Sequence, residues 1–200
     1  MSLNDATSSH PAGDEDSRLC EEERELLRKV ARASIEHGLR TGQPLAVDTA
    51  RHPRPLREPG ASFVTLNEHG QLRGCIGSLE PVRPLVEDVA HNAWAAAFSD
   101  PRFPPLRASE LPDLDLHISV LSPATPMQFD SEQDLIRQLR PGVDGLVLEE
   151  GYHRGTFLPA VWESLPDPRD FLQHLKLKAG LPADYWSDTI RVSRYATESF

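Results

Sequence analysis

The chain is poor in cysteine, in aromatic residues and in long apolar runs. Two cysteines, Cys20 and Cys75, stand 55 positions apart in 200 residues and form no disulfide framework. Neither belongs to a CxxC pair, so a zinc site built on paired thiolates is not indicated. Two free thiols point to a reducing compartment, and a cytoplasmic location is the expectation. Nothing approaches the ~18 consecutive apolar residues of a membrane helix. The opening stretch, MSLNDATSSHPAGDEDSR, has no apolar core, so a secretory signal is not expected.

Positive charge is also scarce: 21 Lys and Arg stand against 31 Asp and Glu, a formal net of −10. Residues 1–25 carry −6 of this, leaving a body that is only mildly acidic. Duplex nucleic acid is held by basic side chains on phosphates, and no basic run exists to do it. Nucleic acid is therefore not an expected partner. RNA binding stays as the weakest reading, resting on the arginines between 51 and 107. The eight histidines form neither an HxH nor an HExxH spacing, so no metal and no cofactor is expected.

A hydrophobic content of 38% with 26% charged residues describes an ordinary globular chain. Residues 1–16 lack periodic apolar positions and read as a disordered acidic tail, with one domain over 17–200. Apolar residues at helical spacing predict a helix from Ser17 to His37, stopped by Gly38. Prolines 44, 53, 55 and 59 predict an irregular connection. ASFVTL and QLRGCI flank Asn67–Gly70 and predict a hairpin around a four-residue turn. LVEDVAHNAWAAAF (85–98) reads as an Ala-rich helix whose Glu87 and Asp88 favour its N-terminal end. DLDLHISVLS (113–122) alternates as a strand, with Asp115, His117 and Ser119 on the polar side. A short helix over 131–140, a second hairpin over 145–159, a helix after Asp167-Pro168 and a last strand over 188–195 complete the pattern. Hairpins and isolated strands mixed with helices predict an α+β fold on a largely antiparallel sheet.

Two segments carry candidate chemistry. In LRGCIG (72–77), strand alternation places Arg73 and Cys75 on one face, with Leu72, Gly74 and Ile76 on the other. A guanidinium beside a thiol favours the nucleophilic thiolate, and it can also hold a carboxylate or phosphate. Gly74 and Gly77 allow backbone or ligand to approach closely. On the alternative, structural reading, Cys75 is a small buried hydrophobe and the glycines mark a bulge. In DPRFPP (100–105), prolines fix an extended path that can hold Asp100, Arg102 and Phe103 rigidly. Cys75 is expected at a pocket lined by Asp100 or Arg102. His117 can act as a base for Cys75 if the two strand faces meet; otherwise it sits on a solvated face. The three tryptophans read as core or lobe-contact residues.

The stretches FVTLNEHGQLRGCIGSLEP, AAFSDPRFPPL, SELPDLDLHISVLSP, GLVLEEGYHRGTFLPAVW and FLQHLKLKAGLP, in this order, resemble the AMMECR family over about residues 20–195. The microbial branch of that family is also called AmmeMemoRadiSam system protein A. The resemblance implies two lobes with LRGCIG near a cleft between them, and a radical SAM protein and a Memo-like protein as partners. It carries over onto Arg73, Gly74, Cys75, Ile76, Gly77, Asp100, Arg102, Phe103 and 178–181, and departs at His117. The readings that follow are an enzyme, or enzyme subunit, of a modification pathway with Cys75 as nucleophile and Arg73 as clamp for a small anionic ligand, and a non-catalytic adaptor in which LRGCIG is structural.

Overall fold

The computed structural model describes residues 19–200; the expected tail over 1–16 lies outside them. Helix α1 (Glu21–Thr41) places Glu21, Glu22 and Glu23 in its first turn, where the helix dipole favours acids, and ends at Gly42 in the left-handed conformation. Gly38 does not stop it. That position is buried inside the helix, and a Cβ there would lie 2.5 Å from the Phe98 ring, so the glycine serves packing. A single turn, α2 (Arg54–Arg57), interrupts the proline-rich connection.

The first hairpin pairs β1 (Pro59–Glu68) with β2 (Gln71–Gly77). Its turn is two residues rather than four, because His69 (φ 52°) and Gly70 (φ 76°) both adopt positive φ, which matches strand twist. After the two-residue β3 (Arg83–Pro84) comes α3 (Leu85–Phe98), at its expected bounds. Strand β4 (Leu114–Leu121) lies on β1 in register, Thr65 opposite His117 and Val64 opposite Ile118. The first sheet runs β2-β1-β4, and α1 and α3 cover one face of it. Val64, Leu66, Ile118, Val86, Val89, Ala93, Ala96, Leu27 and Ile35 make its core.

The chain then crosses to a second lobe. This comprises β5 (Thr125–Pro126), α4 (Glu132–Gln138, capped by the Ser131 hydroxyl), β6 (Gly145–Glu150), β7 (His153–Phe157), α5 (Pro168–Lys178, capped by Asp167) and β8 (Arg191–Tyr195). Its sheet order is β5-β8-β6-β7, all antiparallel. Trp162 and Phe171 stack at the centre of a separate core. Strand β9 (Thr197–Ser199) returns to the first sheet on β4, so the chain passes between lobes twice. The two crossings hold each other: Ser122 N–H donates to the Ala196 carbonyl and Ala196 N–H to the Ser122 hydroxyl, both at 2.9 Å. The architecture is α+β with two antiparallel sheets. Among the described residues, no helix is long and apolar enough to cross a membrane.

Candidate functional site

Strand β2 is an edge of the first sheet. Its pairing with β1 runs in register from Phe63↔Gly77 to Leu66↔Gly74, then slips so that Asn67 faces Leu72. Arg73 is the extra residue of this β-bulge. The bulge corrects the simple alternation: Leu72 joins Asn67 rather than Gly74 and is 43% exposed. It also releases Arg73 from the ladder. The Arg73 Nε donates to Glu110 Oε1 at 2.6 Å and Nη2 to the Pro104 carbonyl at 3.0 Å. Its guanidinium lies 5.9 Å from the centre of the Phe103 ring. The residue is buried, and Nη1 has no hydrogen-bond partner. Arg73 thus faces inward to the 104–110 segment. The same contact holds the Glu110 carboxyl below its ordinary range, helped by the Arg107 N–H.

Gly74 faces α3. A Cβ there would sit 2.1 Å from the Ala96 carbonyl oxygen, so only glycine lets strand and helix backbones meet this closely. Gly77 is covered by the Phe63 ring, 2.2 Å from where its Cβ would stand.

An edge strand leaves every second residue's N–H and C=O without a partner strand. At Cys75 the DPRFPP segment supplies the partners. The Cys75 N–H donates to Asp100 Oδ2 at 2.9 Å, and Arg102 Nη2 donates to the Cys75 carbonyl at 3.2 Å. Arg102 in turn donates to Asp100 through Nε at 2.9 Å, Nη2 at 2.7 Å and its backbone N–H at 3.1 Å. This clasp is local in origin: α3 ends at Phe98, Phe103 N–H closes a turn on the Asp100 carbonyl, and Leu106 N–H returns to the Ala97 carbonyl. Asp100 is buried, and the Arg102 hydrogen bonds, then the Cys75 N–H, hold its carboxyl well below the usual carboxylate range. The Arg102 guanidinium is raised reciprocally, first by Asp100. Its side chain is 53% exposed, and its Cζ lies 5.5 Å from the other arginine's aromatic neighbour, Phe103.

The Cys75 sulfur is half-buried on the sheet face opposite the helices. Thr65 Oγ1 donates to it at 3.3 Å. His117 is on this face too, but Thr65 stands between them as the register partner of both. The His117 Nε2 contacts Asp115 Oδ2 at 2.8 Å. Both cysteines are free, Cys20 being exposed at the start of α1.

At Cys75 the structure shows backbone contacts from the segment expected to line a pocket there. Asp100 and Arg102 reach the main chain of Cys75, and four surface pockets of about 210–420 Å³ are lined by other residues. Between the lobes, Leu79, just past the end of β2, shares a 210 Å³ pocket with Val147, Arg154, Gly155, Thr156 and Lys178. Among the described residues, no three His, Cys, Asp or Glu side chains are disposed to hold a metal ion.

One buried polar cluster was absent from the sequence reading. Asp88 is fully buried, and its Oδ2 accepts from the Ser62 N–H and hydroxyl (2.9 and 2.7 Å) and from Asn92 Nδ2 (2.9 Å). Its Oδ1 accepts from the Ser78 hydroxyl at 2.8 Å. The available signal was the i,i+4 pair Asp88 and Asn92 interrupting the alanine face of α3. The network ties α3 to β1 and to the exit of β2, and Arg83 of β3 adds an ion pair to Asp88 Oδ1 at 3.5 Å.

The AMMECR1 family model matches residues 28–200. The chain belongs to the AMMECR1 family. A protein of Methanothermobacter thermautotrophicus is 40% identical over 188 residues, covering 91% of this chain and 95% of that one. One of Thermococcus onnurineus is 39% identical over 194 residues, covering 92% of each. The crystal structure of an uncharacterized protein from Pyrococcus horikoshii superposes with a TM-score of 0.79 at 36% identity, over 90% of this chain and 92% of that one. The two-lobed α+β architecture is thus shared with an AMMECR1-like structure, and the LRGCIG and DPRFPP segments of this AMMECR1 chain meet in one structural unit around Cys75.

Proposed function

We propose that this AMMECR1-family protein acts as an enzyme, or enzyme subunit, in a modification pathway, with Cys75 as nucleophile or thiol carrier. The observation that carries the reading is the setting of the sulfur. The Cys75 main chain is clamped on its free edge by Asp100 and Arg102, while its half-exposed Sγ accepts a hydrogen bond from Thr65. A hydroxyl donor stabilises a thiolate, and a fixed backbone keeps the nucleophile oriented. Arg73 is engaged internally, so the role of anion clamp passes to the exposed Arg102. Its guanidinium suits a small carboxylate- or phosphate-bearing ligand. Partnership with a radical SAM protein and a Memo-like protein is the working context that the family resemblance supplies.

Paired alkylation tests the reading. Iodoacetate is anionic and iodoacetamide neutral, and both transfer a carbon to the thiolate with loss of iodide. The ratio of their rates at Cys75 should exceed that at Cys20 several-fold at low salt, and Arg102→Gln should remove the excess. Equal ratios at the two cysteines would remove the anionic ligand from the account.

A second reading, the adaptor, is favoured by one observation: Arg73, Asp100 and Arg102 all bond within the chain. In that reading the two motifs secure a sheet edge and Cys75 is inert.

A further inference from the structure

We propose that His117, oriented by Asp115, accepts the proton of the Cys75 thiol through the Thr65 hydroxyl. The inference rests on the reading of Cys75 as a nucleophile and adds the base that this reading lacks.

The register sets the geometry. Thr65 on β1 is the register partner of Cys75 on β2 and of His117 on β4, so the three form one row on the face away from the helices. Two strand spacings separate cysteine and histidine by about 10 Å, too far for a direct hydrogen bond. The residue between them carries a hydroxyl, a group that can accept one hydrogen bond while donating another. Its oxygen already contacts Sγ at 3.3 Å. On its other side is His117, whose Cβ in such a register lies about 5 Å away. A carboxylate only accepts, so the Nε2 facing Asp115 Oδ2 at 2.8 Å carries a hydrogen, and Nδ1 is the nitrogen left with a lone pair. The side chain is 52% exposed, so solvent reaches the ring as Asp115 holds it, and one water can close the remaining gap to Thr65.

The proton count balances. The S–H bond breaks as an O–H bond forms at Thr65; the original Thr65 O–H breaks as an O–H forms on the bridging water, and another O–H of that water breaks as an N–H bond forms at His117 Nδ1. The products are a thiolate, an unchanged threonine and an imidazolium beside Asp115. Thr65 then donates to the sulfur, which is the hydrogen bond observed.

The other charged groups near the row do not offer this route. From the segment after α3, Arg102 is a cation and cannot accept a proton. Asp100 has both oxygens engaged, Oδ1 by Arg102 and Oδ2 by Cys75 N–H and Arg102, and is a weakened base. Arg73, in the bulge of β2 itself, is paired with Glu110. On this face β1 presents Phe63, Thr65 and Asn67, all neutral, and β9 presents Ser199 to Ser119.

The test is the rate of iodoacetamide alkylation at Cys75, mapped by mass spectrometry from pH 5.5 to 9.5 in the folded protein. His117→Gln and Thr65→Val should slow it about tenfold at pH 7, the lower end of what a positioned base contributes. The rates should converge with wild type at the alkaline end, where hydroxide takes the proton directly. Thr65→Ser keeps the hydroxyl and should restore the wild-type profile, and Asp115→Asn should show a smaller loss. Ser119→Ala, on the same face, should change nothing. If wild-type Cys75 is labelled in the native state but the His117→Gln and Thr65→Val profiles overlay it, the relay is wrong while the nucleophile stands. If native Cys75 is not labelled at all, both fall together.

Discussion

Helix α3 enters the first lobe's core through Ala93, Ala96 and Ala97, whereas α5 meets the second lobe's core through Phe171, Leu172 and Leu175. Small side chains let backbones approach, so the first lobe brings the Ala96 carbonyl against Gly74 and sets the height of β2 by main-chain contact. The second lobe has a milder approach of this kind, a Cβ at Gly155 standing 3.0 Å from the Leu175 carbonyl of α5, and fills its centre with bulk, Trp162 and Phe171 stacking at a centroid distance of 3.7 Å and 7° between planes. Both lobes bury charged groups, the second holding Asp144 against Arg140 and Lys176 against Glu132. The first buries the Asp88–Asn92–Ser62–Ser78 network and clasps its sheet edge at Cys75. The lobe that carries the motif has the tighter backbone approach, 2.1 Å at Gly74 against 2.9 Å at Gly155, and close backbone contact positions a side chain more strictly than apolar bulk does.

The contrast predicts opposite failures. Phe171→Ala opens a void in the second core and should cost about 3–5 kcal/mol, leaving Cys75 reactivity per folded molecule unchanged. Gly74→Ala overfills the first lobe; because the obstacle is a backbone carbonyl that cannot rotate away, the loss should be near the ~3 kcal/mol upper end for overpacking. Unlike the Phe171 change, it should alter Cys75 labelling in the molecules that still fold. Chemical denaturation with thiol mapping reads both effects.

Asp100→Asn gives a smaller loss, about 1–2 kcal/mol from weakened charge-assisted hydrogen bonds, with a distinct pH signature. The folded-state carboxyl titrates well below its ordinary value of 3.8, so ionised Asp100 stabilises the fold above that value. That contribution is lost as pH falls from about 4 toward the folded-state value. The stability gap between wild type and Asp100→Asn should therefore be widest above about pH 5 and close on acidification. A gap independent of pH between 5 and 2 would show that the clasp does not depend on the charge.

Much of this was legible in the sequence because it is periodic. The bounds of α3, the alternation of β4 and the caps Ser131 and Asp167 follow from local patterns. What escaped is long-range or aperiodic. Gly38 reads as a stop until Trp94 and Phe98 are packed over it. The bulge at Arg73 shifts register by one residue and leaves no mark in the composition. Asp88 reads as a first-turn acid suited to the helix dipole, yet it is turned into the sheet to serve two serines. LRGCIG and DPRFPP were singled out as separate candidates; that one clasps the backbone of the other depends on β2 being an edge strand, which pairing order alone decides.

The central claim is that Cys75 is an accessible, oriented thiol, and native-state labelling tests it most directly. The folded protein is exposed to limiting iodoacetamide at pH 7, and modification at Cys75 and Cys20 is compared by mass mapping. Cys20 is free and exposed, at the N-cap of α1, and serves as the reference thiol within the same chain. The account predicts that Cys75 labels faster than Cys20 despite being less exposed, and that unfolding in denaturant abolishes the advantage. A Cys75 that stays unmodified until the protein unfolds would contradict it and leave the motif as a structural edge clasp.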